Sequence, residues 1–180
     1  MLQCFYPDKY IVSTYQINFD RLYEKGYRGI IFDIDNTLVE HGAPADERSI
    51  ALFRHLKELG FRIMLLSNNK EPRVKMFNDA VQVQYLFKAG KPGKAGYETA
   101  MKKLGCNTGN MLFVGDQLFT DVWGARRCGI YSILVQPIAK HEEIQIVLKR
   151  YLEKIVLASY KKACRKQGRT FLYEEDRDAD

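Results

Sequence analysis

The chain has 180 residues, 46% of them hydrophobic, with 28 Lys and Arg against 22 Asp and Glu and a net charge of +6. That length supports one full core, the apolar share is that of an ordinary globular protein, and no run is long and apolar enough to span a bilayer. The positive balance admits anionic partners: a phosphate ester, a nucleic acid or an acidic membrane surface.

Cys4, Cys106, Cys128 and Cys164 lie far apart without Cys-x-x-Cys spacing. They read as three buried small hydrophobes and one exposed thiol rather than as disulfides or zinc ligands, which fits a reducing cytoplasm. Pro7, Asp8 and Lys9 interrupt any signal-peptide pattern at the start.

In chain order, residues 1–28 form an extension in which Asp20 caps a short helix over 21–25, closed by Gly26. Its aromatics Phe5, Tyr6, Tyr10, Tyr15 and Phe19 are expected to cover part of a sheet. Residues 29–33 read as a strand. After a loop with Gly42 and Pro44, a helix is predicted over 46–59, with Ile50, Phe53, Leu56 and Leu59 at helical spacing and Gly60 as its stop. The pattern predicts further strands at 61–66, 85–89, 111–114 and 130–135. Helices are expected over 71–78, 94–104, 118–128 and 141–166. Strand and helix alternate without repeats from 29 to 137, which implies an α/β fold with a mainly parallel central sheet and helices on both faces. The tail from Glu174 to Asp180 is acidic and expected to be disordered.

The most informative segment is Ile31-Phe32-Asp33-Ile34-Asp35-Asn36-Thr37. An apolar strand ends on two aspartates one residue apart. Carboxylates at the tip of a buried strand are costly unless a metal ion or a shared proton lies between them, and open parallel sheets do their chemistry at the carboxyl ends of strands. Three other strand ends carry chemistry: Ser67-Asn68-Asn69, Gly90-Lys91-Pro92, and Gly115-Asp116 followed by Asp121.

Taken together, these four segments resemble the motifs of the haloacid dehalogenase-like (HAD) superfamily of phosphohydrolases, over about residues 29–137. Phe5-Tyr6-Pro7-Asp8, the run Asp35-Asn36-Thr37-Leu38-Val39-Glu40, Ser67-Asn68-Asn69 and Gly115-Asp116-Gln117-Leu118-x-Thr120-Asp121 are similar, more narrowly, to the YqeG family among the subclass IIIA phosphatases. Cap domains in the superfamily are inserted after the first motif or between the second and third. Both gaps here are too short to hold one, so an uncapped, Rossmann-like domain with an open site is expected. Open sites suit large substrates or head groups presented on a surface.

The resemblance implies a phosphatase with an aspartyl-phosphate intermediate. Asp33 would be the nucleophile, and Asp35 the general acid and base. Ser67 would donate to the phosphate, with backbone N–H groups around Asn68 adding donors. Lys91 would neutralise the phosphate, with Lys94 as its rival. Asp33, the Asp35 carbonyl and Asp116 would bind Mg2+, the usual hard ion with phosphates. Asp121 would bind that ion through water, steady a neighbour, or act only as a helix N-terminal acid.

Lys70, Arg73, Arg126 and Arg127 lie near the expected site edges and read first as solvated helix charges. His41, His55 and His141 read as surface residues, and Trp123 as core or sheet edge. The predicted last helix is amphipathic, with apolar positions from Ile144 to Ile155 and charge crowded from Lys149 to Arg169. It reads first as a helix packed on the sheet with a basic tail. The sharper reading is docking on an anionic membrane, at the inner face of the cytoplasmic membrane. Related mitochondrial-type proteins remove phosphate from phosphatidylglycerophosphate, which implies a lipid substrate. The alternatives are a nucleotide or nucleic-acid phosphatase, although no specific nucleic-acid motif is present, a phosphotransferase, and a non-catalytic binding module on the same scaffold.

Overall fold

A computed structural model describes residues 2–139 and 144–174, the last stretch with side chains from residue 150 onward. Six strands form one parallel sheet: β1 (Lys9–Ile11), β2 (Gly29–Phe32), β3 (Arg62–Leu66), β4 (Gln84–Leu86), β5 (Met111–Gly115) and β6 (Tyr131–Val135). Their order is β1-β6-β5-β2-β3-β4. From β2 the chain winds outward through β3 to β4, then returns on the other side of β2 through β5 to β6. The direction of winding therefore switches between β2 and β5, where α/β sheets open a crevice at the strands' carboxyl ends.

Both faces of the sheet are covered, and the central strands β2 and β5 are therefore buried and free of polar side chains at every position rather than alternately. Ile30 and Phe32 of β2, with Leu112 and Val114 of β5, pack against α2 (Glu47–Leu59) and α3 (Glu71–Val81) through Phe53, Leu56, Val74 and Phe77. On the other face, Ile31 and Phe113 meet Tyr97, Ala100 and Leu104 of α4 (Lys94–Leu104) and Ala125 of α5 (Trp123–Arg127). A third cluster joins Val156, Tyr160 and Cys164 of α6 (Ile144–Lys166) to Tyr10 and Leu134 at the sheet edge.

The expected alternation, the parallel sheet and the lack of a cap domain among the described residues agree with this architecture. Several local expectations need correction. Residues 9–11 form an edge strand where only aromatic cover was expected, and their register with β6, Tyr10 opposite Leu134, extends the sheet. The short helix is α1 (Phe19–Glu24), capped by the Asn18 side chain accepting the Arg21 N–H, not by Asp20. Residues 118–128 do not form one α-helix: a π-helical turn at Leu118–Val122 precedes α5. Only Cys164 is buried among the cysteines, with Cys106 and Cys128 half-buried and Cys4 exposed. The expected helical residues 141–143, His141, and the tail beyond Glu174 lie outside the described residues.

Candidate active site

The four motifs meet at the carboxyl ends of β2, β3 and β5, at the switch point. Phe32 is opposite Leu65 on one side and Val114 on the other, so Asp33, Ser67 and Asp116 emerge side by side. The Asp33 peptide N–H still donates to the Val114 carbonyl at 3.0 Å, which anchors the strand end. Beyond it the backbone bends through Asn36, whose φ of 61° is tolerated best by Gly, Asn and Asp. The Asn36 carbonyl and the Thr37 side chain point in different directions. The first accepts from the Ile138 N–H at 3.1 Å, and the second donates to Asp116 Oδ1 at 3.2 Å.

Three carboxylates converge. Asp33, Asp116 and Asp121 are all buried, and each offers an oxygen within 4.8 Å of the others. Lys91 Nζ lies between two of them, 2.5 Å from Asp33 Oδ1 and 2.7 Å from Asp121 Oδ1. Lys91 is placed by its backbone: its N–H donates to Asn68 Oδ1 at 2.8 Å, and its carbonyl accepts from Asn68 Nδ2 at 3.0 Å. The Asn68 amide is thus committed to Lys91, and what Asn68 can offer an anion is its peptide N–H. Ser67 is buried beside it, its hydroxyl accepting the Asn69 N–H at 3.1 Å. Lys94, the rival for Lys91, is exposed at the start of α4.

Asp121 reaches the cluster because of the π-helical turn and a glycine. Its Oδ2 accepts the Gln117 N–H at 3.1 Å. A Cβ on Gly115 would stand 2.6 Å from that same oxygen, so only glycine leaves room for it. Tyr97 donates to the Thr120 carbonyl at 2.9 Å, holding the turn from the other side.

Asp35 does not join the three carboxylates; its side chain faces another set of donors. Oδ1 accepts from Arg73 Nη2 at 2.8 Å, Arg73 Nε at 3.1 Å and the Gly42 N–H at 2.8 Å, while Oδ2 accepts from Asn69 Nδ2 at 2.7 Å. His41 stands 3.8 Å away with its side chain half exposed. Only the Asp35 main chain is therefore available to an ion held by the others.

Two residues of α6 also enter the site. Arg150 pairs with Asp116 Oδ2 through one nitrogen, and through the other donates to the Asp116 carbonyl at 2.6 Å and to Glu153 Oε2 at 2.9 Å. Glu153 Oε1 in turn accepts the Leu118 N–H at 2.6 Å. Sequence reasoning treated Arg150 only as one of many helix charges and gave Glu153 no role. Nothing local marks them, since they lie more than thirty residues beyond Asp116 and arrive by packing alone. Arg73 was legible in principle: it lies in the first turn of a helix that begins right after Ser67-Asn68-Asn69, and such turns face the crevice. Lys70 is exposed at the N-cap of α3, while Arg126 pairs with Asp8 at 2.6 Å and Arg127 lies over the Trp123 ring.

Electrostatically the cluster is short of positive charge. Four buried acids, Asp33, Asp116, Asp121 and Glu153, face two cations, Lys91 and Arg150, which leaves a formal charge of −2. Burial pushes Asp33 up to about 7, with the charge of Asp121 adding to the rise and Lys91 offsetting part of it. Burial likewise holds Asp116 well above the usual carboxylate range despite Arg150. Burial alone would depress Lys91, but Asp121 and Asp33 outweigh it and the ammonium is held firmly charged. An all-oxygen, anionic, buried donor set of this kind fits a hard divalent cation.

A parallel sheet with a carboxylate cluster at its switch point, a lysine between the acids and no cap is the arrangement of a HAD-type phosphohydrolase. Comparison with known proteins agrees. Residues 88–145 match the family model described as HAD-hydrolase-like. The probable phosphatase YqeG of Bacillus subtilis (strain 168) is 35% identical over 159 residues, covering 88% of this chain and 92% of that protein. A phosphatidylglycerophosphate phosphatase of Arabidopsis thaliana, chloroplastic and mitochondrial, is 28% identical over 83% of this chain; the chain spans 45% of its length. Among solved structures, the cobalt-bound deoxy-D-mannose-octulosonate 8-phosphate phosphatase of Haemophilus influenzae has the same fold, with a TM-score of 0.51, 13% identity, and coverage of 74% of this chain and 89% of that one. The chain belongs to the YqeG family and is a HAD-type phosphatase.

Proposed function

We propose that the chain is a Mg2+-dependent phosphomonoesterase that works through an aspartyl-phosphate at Asp33 and acts on a phosphorylated lipid head group. The observation that carries the chemistry is the meeting of Asp33, Asp116 and Asp121 within 4.8 Å around the Lys91 ammonium. The lipid reading rests on the similarity to phosphatidylglycerophosphate phosphatases. It is in keeping with the absence of a cap domain among the described residues.

In the first half-reaction an Asp33 oxygen attacks phosphorus as the ester P–O bond breaks, and Asp35, released from Arg73 and protonated from solvent beforehand, gives its proton to the departing alkoxide. In the second, water attacks the phosphorus of the acyl phosphate, Asp35 takes the proton from water, and Asp33 leaves as carboxylate. Four donor atoms occupy the Asp35 oxygens, so both proton transfers require the side chain to leave Arg73 and turn toward the phosphate. Ser67 and the peptide N–H of Asn68 hold the phosphoryl oxygens, and Lys91 neutralises them. Asp33, Asp116 and the Asp35 carbonyl would hold the ion, and Asp121 fixes Lys91. When bound, Mg2+ screens the repulsion between the Asp33 carboxylate and the phosphate dianion.

The test is phosphate release from phosphatidylglycerophosphate vesicles, with and without Mg2+, using Asp33→Asn as the blank. Release that needs Mg2+ and vanishes in the variant supports both the chemistry and the substrate. Release from nucleotides but not from the lipid would reassign the substrate. No turnover of any phosphate ester would point instead to a binding module.

A further inference from the structure

Helix α6 has two faces of opposite character. Its inner face is part of the enzyme: Val156, Tyr160 and Cys164 are buried in the core, and Arg150 and Glu153 grip the segment Asp116 to Leu118. Its outer face is unlike the rest of the surface. Tyr151, Leu152 and Ile155 are 66%, 49% and 54% exposed, the three most exposed large hydrophobic side chains among the described residues. Tyr151 and Leu152 precede Ile155 by one helical turn, so the three form one patch. Lys154, Lys161, Lys162, Arg165 and Lys166 are exposed along the same helix. From 150 to 166 the single acid is Glu153, and it is buried.

Exposed apolar side chains beside a run of cations, with no acid facing solvent, are what an anionic bilayer surface recognises. A folded protein partner with its own mixed charges would leave several of these cations unmatched. The patch is also tied to the site, because Arg150, which holds Asp116, directly precedes Tyr151.

We infer that the outer face of α6 is a membrane-docking surface, which seats Tyr151, Leu152 and Ile155 among the head groups of an anionic bilayer and brings the Asp33–Asp116 crevice to head-group level. This deepens the proposed lipid-phosphatase reading, which it rests on for its purpose but not for its test. Docking is produced by apolar contact plus charge, so it needs both the three side chains and an anionic surface. The ordered inner face would be unchanged by it.

The experiment is co-sedimentation of the full chain with phosphatidylcholine vesicles and with vesicles containing roughly one-third phosphatidylglycerol. The wild type is expected to sediment with the anionic vesicles and not with the neutral ones. The variant carrying Tyr151→Ser, Leu152→Ser and Ile155→Ser is expected to lose more than about tenfold in partition, with an unchanged thermal melt because all three side chains are exposed. A separate Leu152→Trp variant is expected to show blue-shifted fluorescence on the anionic vesicles alone. Equal partition of wild type and triple variant, or no binding to anionic vesicles, would overturn the inference. So would dimerisation through the same three residues without vesicle binding, which would make the face a contact between copies. Vesicle binding without release of lipid phosphate would leave the docking surface standing and remove the substrate assignment instead.

Discussion

The Lys91 ammonium stands 2.5 Å from the Asp33 carboxylate, and the Lys91 peptide is clasped by the Asn68 side chain. A residue of the third motif is thus aimed at the first by a residue of the second. Lys91 is enclosed, with 3% of its side chain exposed, so a larger guanidinium has no room between Asp33 and Asp121. Lys91→Ala is expected to lower kcat by about 10² to 10³, and Lys91→Arg to fail to restore it. Steady-state kinetics on any accepted phosphate ester checks both.

Asn68→Ala removes both hydrogen bonds to the Lys91 peptide while leaving the Asn68 N–H in place. The lysine then loses its aim rather than its charge. We expect a fall in kcat of about tenfold to a hundredfold with a smaller change in KM, and a loss of about 1–3 kcal/mol of stability from the two broken bonds. Kinetics together with urea unfolding separates the two effects.

Arg150 and a bound cation draw on the same Asp116 carboxylate. Arg150→Gln should therefore tighten Mg2+ binding several-fold, measured by calorimetry. It should also lower the melting temperature of the metal-free protein, because Asp116 and Glu153 lose their buried partner. Weaker Mg2+ binding in the variant would contradict this competition.

The carboxylate cluster gives the metal-free protein a definite pH dependence. Asp33 is raised from 3.8 to about 7, and Asp116 is also raised. The folded chain therefore holds protons that the unfolded chain has released. The stabilisation is fully present below the unfolded value and is lost as pH rises through the folded value near 7. Asp46 is shifted downward by its helix-capping bonds and works in the opposite sense, so the comparison must be made against Asp33→Asn. Relative to that variant, the metal-free wild type should lose stability between about pH 5 and pH 7.5, by a few kcal/mol at most. Mg2+ at the higher pH should restore it. Thermal melts across that range test the sign.

How far the site was legible in the sequence depends on distance along the chain. Asp33, Ser67, Lys91 and Asp116 each follow a strand by one to five residues, and a parallel sheet must bring such positions to one end. Arg73 reads from sequence as a site-edge residue and first as a solvated charge; the first turn of a helix that follows a strand end faces the crevice, and Arg73 pairs there with Asp35. The π-helical turn was not legible, because it depends on Tyr97 from α4 donating to the Thr120 carbonyl and on Gly124 giving that ring space. Strand β1 is three residues long, between Asp8 and Val12, too short for an alternating pattern. Arg150 and Glu153 depend wholly on how α6 packs, and no motif spacing could have indicated them.

The central claim is that Asp33 becomes phosphorylated during turnover, and borohydride reduction tests it most directly. An acyl phosphate is reduced to the alcohol, so an aspartyl-phosphate becomes homoserine, which peptide mass spectrometry locates. With substrate and Mg2+ present, the account predicts homoserine at position 33, none without substrate, and none in Asp33→Asn. Turnover that proceeds with position 33 unmodified, or with the modification at another residue, would contradict it.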